Sequence, residues 1–328
     1  MNRNDFSEED FLRWLRSRFK WKGSGTEQGL GIGDDGAVLK LGDKSIIITT
    51  DMMTEDVHFK MKYFSIRDLA YKITAVNISD IAAMGGRPKY SLISIGVPGK
   101  GGGVFLKRFY DELEKVHDLF KIEMLGGDTV SSRKIVVNMT LFGELIYLKP
   151  VLRSGAEPGD LICVTGFPGL AGLGLMVLPE GERKNYPDSV QRHLQPEPRL
   201  GFIEGSVKFS KFITSMIDIS DGLILDLFRI LHQSQRSALL FKDNIPVHSE
   251  LKSYFKSEKR VLNNIFYSGE DFELLFTLKP EGRNLLEKDF DFNVTEIGVV
   301  TDEPGDNIYL KAGNRRRKIT VKGYDHLK

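Results

Sequence analysis

The sequence predicts an α/β protein built as two domains. Three observations carry this. Strand-like apolar runs alternate with helical spacing along the whole chain. The 328 residues exceed one ordinary domain of about 150. Between two such alternating halves, segment 149–160 concentrates Pro150, Gly155, Pro158 and Gly159, a composition that breaks regular structure. The expected domains are therefore 1–149 and 150–328.

In chain order, Phe11, Leu12, Leu15 and Phe19 recur at helical spacing, with Ser7 as cap and Asp10 three residues on. Segment 22–36 holds Gly23, Gly25, Gly29, Gly31, Gly33 and Gly36 with little apolar bulk, so it reads as a mobile loop whose composition suits a lid. Ala37-Val38-Leu39 and Ile46 to Thr50 read as strands, 66–84 as a helix and 89–97 as a strand. A loop at 99–103, a helix over 104–120, a strand over 122–125 and a long strand-like run over 134–148 complete the first half. The second half opens with a strand at 161–165. Helices follow near 170–178, 188–194, 198–207 and 222–233, with strands at 213–219, 273–278 and 294–300. Arg192 and His193 precede Pro196 and Pro198 and read as a structural turn, with phosphate contact as the lesser alternative. The run Arg315 to Lys318 reads as a solvated turn, because no aromatic residues interleave it for stacking on bases.

Composition narrows the class. Hydrophobic residues make up 41% and charged residues 28%, an ordinary globular balance. Lys+Arg is 46 against Asp+Glu 45, so no excess charge calls for nucleic acid. The single cysteine, Cys163, excludes an intramolecular disulfide and argues against zinc. The N-terminal residues lack the apolar core of a secretory signal. The uncharged stretch 161–179 approaches the length of a membrane span, but Gly166, Pro168, Gly169, Gly172 and Gly174 divide it into strand, turn and helix. A cytoplasmic chain with no membrane partner is expected.

The strongest chemical signal is where the acids sit. Asp34 and Asp35 end the glycine-rich loop, and Asp51 follows Ile46 to Thr50. Asp128 follows 122–125 through Gly126-Gly127. Asp218 lies between Ile217 and Ile219, Asp221 follows Ser220, and Glu270 and Asp271 precede Phe272. Carboxylates at the mouths of apolar strands are costly unless paired or metal-bound, and several together repel one another. A divalent cation answers both, and an all-oxygen donor set without clustered His or Cys favours magnesium over zinc. On helix 66–84, Ile73, Asn77, Asp80 and Met84 share one face, bordered by Leu69, Val76 and Ile81. Two readings of Asp80 stand side by side here: a buried carboxylate satisfied by an arginine or a backbone cap, and a metal ligand.

Two glycine patterns mislead. Gly31-Ile32-Gly33-Asp34-Asp35-Gly36 matches a dinucleotide fingerprint literally, but no strand precedes it and no helix follows, and its carboxylates would repel a pyrophosphate. Gly99-Lys100 is followed by Gly101 where a phosphate loop needs Ser or Thr. Protein-kinase motifs are absent from the sequence. If the chain handles ATP, it does so through cations bridging carboxylates to phosphates, with Arg153 available as a guanidinium fork.

Eight segments then match one family in order and spacing: Gly31-Ile32-Gly33-Asp34-Asp35, Thr49-Thr50-Asp51 with His58-Phe59, the helix motif from Ala75 through Asn77, Ser79 and Asp80 to Gly85, Gly126-Gly127-Asp128-Thr129, Arg153 through Pro158 to Asp160, Ile217-Asp218-Ile219-Ser220-Asp221-Gly222, Ser268-Gly269-Glu270-Asp271-Phe272, and the tail Gly323-Tyr324-Asp325-His326. Together they resemble the thiamine-monophosphate kinases, members of the PurM-like ATP-binding superfamily, over nearly the whole chain. The resemblance implies two α/β domains, with the N-terminal sheet closing a barrel across a homodimer and the site in the cleft between domains. It implies transfer of phosphate from ATP to thiamine monophosphate, with several Mg2+ ions per site. Carried over by motif, Asp35, Thr49, Thr50, Asp51, Asp80, Asp128, Asp218 and Asp221 would be metal ligands, and Asp35, Asp51, Asp80, Asp128 and Asp221 would carry catalysis. Gly127, Asp128, Arg153 and Ser220 would touch ATP, and His58, Glu270 and Tyr324 would contact the thiamine moiety. Asp56 departs from the family pattern, which has a small residue there, commonly Gly. Three rivals remain at this point: another PurM-like ATP-dependent synthetase, a selenophosphate synthetase (disfavoured, since Cys163 is the sole cysteine), and a non-catalytic maturation or scaffold protein of the same fold, which should have lost several of the acids.

Overall fold

The computed structural model describes residues 8–19, 29–288 and 292–323. Tyr324, Asp325 and His326 of the tail, Ser7 as helix cap, and 22–28 of the glycine-rich loop lie outside the described residues.

The first half pairs a helix α1 (Glu8–Arg18) with a five-stranded sheet and two further helices. Its elements are β1 (Ala37–Leu41), β2 (Lys44–Thr54), α2 (Ile66–Ala83), β3 (Gly86–Val97), α3 (Gly102–Phe120), β4 (Glu123–Ser131) and β5 (Val136–Leu145). The strand order is β1-β2-β5-β3-β4, antiparallel except for the β3–β4 pair. The second half is a seven-stranded sheet wrapped by helices: β6 (Leu161–Thr165), α4 (Leu170–Glu180), α5 (Pro187–Leu194), α6 (Leu200–Ser206), β7 (Ile213–Asp218), α7 (Leu223–Ser234), β8 (Ser237–Phe241), α8 (Ser249–Tyr254), α9 (Glu258–Tyr267), β9 (Leu274–Leu278), α10 (Arg283–Lys288), β10 (Val294–Thr301), β11 (Ile308–Ala312) and β12 (Arg315–Lys318). Its order is β12-β11-β8-β10-β6-β9-β7, with β8–β11 the parallel pair. No helix among the described residues is long and apolar enough to cross a membrane.

Helix α2 is the element both halves share. Thirteen of its eighteen residues are buried, so it is apolar nearly all round, as a core helix must be. One side packs on β2, β3 and β5, and the other meets β7, α5 and α6 of the second half. Gly143 on β5 lets it sit close: a Cβ there would stand 2.5 Å from the Ile81 Cγ2. A capping box starts the helix. The Ser65 side chain accepts from the Asp68 N–H at 3.1 Å, and Asp68 accepts from the Ser65 N–H at 2.9 Å.

Two expectations need correction, and several elements had none. Asp128 does not end a strand. Strand β4 runs on through Gly126, Gly127 and Asp128, with a register shift at Leu125, because an exposed edge strand tolerates glycines that a central one would not. Arg315 to Lys318 is exposed, but it is a strand and not a turn. Gly313, at φ +55, reverses the chain so that β12 pairs antiparallel with β11. Elements β8, α8, α9, α10 and β11 were not read from sequence; Ser237-Ala238-Leu239-Leu240-Phe241 is too short a run for periodicity to decide.

Replacing Ser65 with Ala should remove the side-chain half of the capping box, leaving the residue-65 N–H to Asp68, and cost about 1 kcal/mol of stability, read as an earlier midpoint in chemical denaturation with an unchanged slope.

Candidate active site

A cleft of about 1170 Å³ opens between the halves. Strand β2 supplies one wall. Its period-two alternation buries Ile47, Thr49 and Met53 toward α2 and leaves Thr50 and Met52 exposed on the opposite face. Asp51 falls on the α2 side by the same alternation. Asp80 sits in the last turn of α2 and meets that wall. The Thr49 hydroxyl donates to Asp80 Oδ2, and Asp51 and Asp80 share a side-chain hydrogen bond. The Thr50 hydroxyl is instead engaged by β5, 3.2 Å from the Met139 carbonyl oxygen.

Segment 31–36 forms the lip, bringing Asp34 and Asp35 over the wall. Arg153 locks them. Its N–H donates to Asp34 Oδ1 at 2.8 Å, and its guanidinium donates to Asp35 Oδ1 at 2.9 Å. From the second half, β7 ends at Asp218, and Ser220 and Asp221 follow in the turn before α7. The fully buried Asp226 holds this turn by accepting from the N–H groups of Ser220 and Asp221, each at 3.1 Å. Arg229, one turn on, pairs with Asp226 at 2.6 Å and Asp221 at 2.7 Å. Sequence reading missed Asp226 and Arg229. Their i, i+3 spacing on the helix that follows the acidic turn was the available signal.

These elements bring Asp35, Asp80 and Asp218 together, with one carboxylate oxygen from each within 4.8 Å of the others. The electrostatics are severe. Burial, then the charges of Asp51, Asp218 and Asp35, hold the Asp80 carboxyl well above the usual range. A position near the negative end of the α2 dipole adds to that. Asp218 is pushed well up by burial and by Asp35. Asp51 rises to about 6, chiefly through burial and then through Asp35, against the lowering hydrogen bond from Asp80. Asp218 Oδ2 is buried without a hydrogen-bond partner. Among the described residues, Asp80 is met by the Thr49 hydroxyl and by neither an arginine nor a backbone cap, although Arg153 pairs with its neighbour Asp35. Hard oxygen donors, convergent charge and an orphaned oxygen fit a divalent cation of the magnesium type.

Other expected site residues lie elsewhere. Gly127 and Asp128 are on β4, at the far edge of the first sheet, and do not line this cleft. His58 stands in the turn after β2, where its Nδ1 accepts from the Thr54 N–H at 3.0 Å, which leaves the ring proton on Nε2. Glu270 adjoins the cleft: its N–H donates to the Ser220 carbonyl at 2.8 Å. Gly269 makes this approach possible, since a Cβ there would lie 2.2 Å from the Ser220 carbonyl oxygen. Tyr324 is outside the described residues, although Val321 to Gly323 before it line the cleft. Asp56 has φ +69, a left-handed conformation that glycine adopts without strain, and its carboxylate pairs with Lys134. Arg192 and His193 are not in a turn as expected: both belong to the last turn of helix α5, where the Arg192 guanidinium lies 3.5 Å from the buried Glu273.

The raised carboxyl groups set a sign for stability against pH. In the folded chain they keep protons that the unfolded chain has already released above its ordinary carboxyl range near 3.8. Stability of the metal-free protein should therefore fall as pH rises from about 4 through about 6 and above. Melting temperatures scanned across this range should show that fall, and millimolar Mg2+ should reverse it near neutral pH.

Comparison with known proteins places the fold within a family. Residues 33–145 match the AIR synthase related protein N-terminal domain and 157–311 its C-terminal domain. The thiamine-monophosphate kinase of Bacillus subtilis (strain 168) is 36% identical over 310 residues, covering 91% of this chain and 94% of that protein. That of Aquifex aeolicus (strain VF5) is 32% identical over 299 residues, covering 90% and 92%. Among solved structures, AaThiL complexed with AMPPCP and TMP superposes with a TM-score of 0.86 at 29% identity, covering 99% of each chain. The HypE–HypF complex, at a TM-score of 0.74 and 18% identity, shares the fold. With likeness extending over nine-tenths of its length and through both halves that frame the acidic cleft, the chain belongs to the thiamine-monophosphate kinase family of AIR synthase related proteins.

Proposed function

We propose that this protein transfers the terminal phosphoryl group of ATP directly to thiamine monophosphate, giving thiamine diphosphate and ADP, in the cytoplasm where ATP is supplied. One observation carries the reading: one carboxylate oxygen from each of Asp35, Asp80 and Asp218 lies within 4.8 Å of the others, an all-oxygen donor set suited to a divalent cation with a polyphosphate beyond it. The relatives' name and the AMPPCP and TMP of the structural neighbour support both substrates.

Asp35, Asp80 and Asp218 would hold Mg2+, with Thr49, Asp51 and Asp221 around them and Thr50 joining through its main chain. Bound there, the ion supplies neutralisation of phosphate charge. The chain's own residues do the rest. Arg153, paired with Asp35 through its guanidinium, exchanges that carboxylate for a phosphate oxygen of ATP. The Ser220 turn, fixed by Asp226 and Arg229, keeps the ATP side in register. The acceptor's phosphate oxygen is anionic near neutral pH, so no general base is required, and catalysis rests on positioning. His58 presents its Nε2–H to the acceptor, Glu270 offsets the thiazolium charge, and Tyr324 stacks on that ring.

Residues 1–149 and 150–328 act as the two domains, with the cleft between them. Gly127 and Asp128 complete the site by way of a homodimer. The face of the first sheet away from α2 is exposed and apolar at Met52, Tyr90, Leu92, Leu125 and Val130, which suits pairing with a second copy. That pairing would deliver Asp128 from its edge strand to the second copy's cleft.

Purified protein with Mg2+, ATP and thiamine monophosphate should form thiamine diphosphate one-for-one with ADP. Free phosphate without the diphosphate product would overturn the reading. Asp80→Asn should lower kcat by about a thousandfold while the fold persists, as expected when a charge-stabilising group is lost. Mixing Asp80→Asn with Asp128→Asn chains should restore activity if Asp128 acts in the second copy; continued inactivity of verified heterodimers would place Asp128 outside that role.

A further inference from the structure

We infer that Lys72 is a positioning residue for the phosphoryl acceptor: its buried ammonium group fixes the Glu270 carboxylate beside the cleft. The inference rests on Glu270 contacting the acceptor. Lys72 lies in the middle of α2, with its side chain 1% exposed. Its Nζ donates to Glu270 Oε2 at 3.1 Å and to the His193 carbonyl oxygen at 2.9 Å, and lies 5.5 Å from the centre of the Phe64 ring. A lysine in such a place is costly to desolvate. Leucine or methionine would fill the same volume without that cost, but neither could hold a carboxylate oxygen.

The surroundings favour one fixed pose for Glu270. Its side chain remains 30% exposed, while both near neighbours bear on the same oxygen, Oε2. His193 Nδ1 is 3.4 Å from it, without hydrogen-bond geometry. Burial and then Lys72 keep this imidazole neutral, so it adds no competing cation. The Glu270 backbone is as constrained as its side chain. It has φ +65, a left-handed conformation uncommon for glutamate, and its N–H is tied to the Ser220 carbonyl. Glu270 is thus held at one end by the turn that follows Asp218 and at the other by the helix that carries Asp80. Lys72 and Asp80 are eight residues apart on α2, about two turns, so one rigid rod spaces the acceptor contact from the metal cluster. Lysine eight residues before Asp80 and four before Val76 on a buried face was the signal in the sequence.

The test is steady-state kinetics of Lys72→Met, Glu270→Gln and the double variant, with melting temperature alongside. Each single substitution should raise the KM for thiamine monophosphate about tenfold, with the KM for ATP within about twofold. The double variant should be no worse than Glu270→Gln alone, because both changes remove one interaction. If Glu270→Gln raises the acceptor KM and Lys72→Met does not, or if the two effects simply add, Lys72 has only a structural role. An unchanged acceptor KM in Glu270→Gln removes Glu270 from the acceptor site, and this inference with it. Should Lys72→Met fail to fold, Lys72→Gln keeps a donor for the His193 carbonyl. It should melt near the wild-type temperature and still raise the acceptor KM; an acceptor KM within twofold of wild type would overturn the inference.

Discussion

Mutual repulsion among buried carboxylates is the constraint on which the rest of this structure depends. Asp35, Asp51, Asp80 and Asp218 come from a lip, a strand, a helix and a second sheet, and none is placed there by local preference. Holding them together requires a scaffold stiff enough that the groups cannot relax apart. The two arginine forks act at the rim. Arg153 answers Asp35, and Arg229 answers Asp221 and Asp226. The centre keeps its excess negative charge, and that is the property a cation-dependent phosphoryl site needs.

Helix α2 supplies the stiffness. A helix buried on most of its surface cannot tilt without disturbing two sheets, since it packs on β2, β3 and β5 on one side and on β7 on the other. It presents Asp80 at its last turn, Lys72 near its middle and a capping box at its start. The proposed cation ligand, the proposed positioning lysine and the capping box therefore share one element. Substitutions along it should couple to one another more than their sequence separation suggests.

Much of this was legible in the sequence, because it rests on local pattern. The apolar run before Thr49-Thr50-Asp51 and the spacing of Ile73, Asn77, Asp80 and Met84 are fixed by strand and helix periods, and both emerged where expected. The position of Asp128 was not legible. Gly126-Gly127 reads as a turn from sequence, and only pairing with β3 makes it strand. Lys72 was missed for a related reason: a charged residue on an apolar helix face takes its meaning from its partner, and that partner is distant in sequence. Glu270 lies 198 residues from Lys72, and no periodicity spans that distance. The family resemblance named Glu270 but gave no account of what holds it.

The two ends of the seven-stranded sheet are guarded in different ways. At one end, β12 presents Arg315, Arg316, Arg317 and Lys318, all exposed. At the other, α2 covers β7, and Met216 of that strand donates its N–H to the Leu152 carbonyl at 3.0 Å. The charged side chains of β12 discourage a stranger's strand at one end, and the Leu152 carbonyl occupies a backbone position at the other. Edge-to-edge addition is thereby discouraged at both termini of this sheet. An association through one self-complementary face stops at two. Paired through the face proposed above, such a chain would reach a finite assembly in a crowded cell and not a filament.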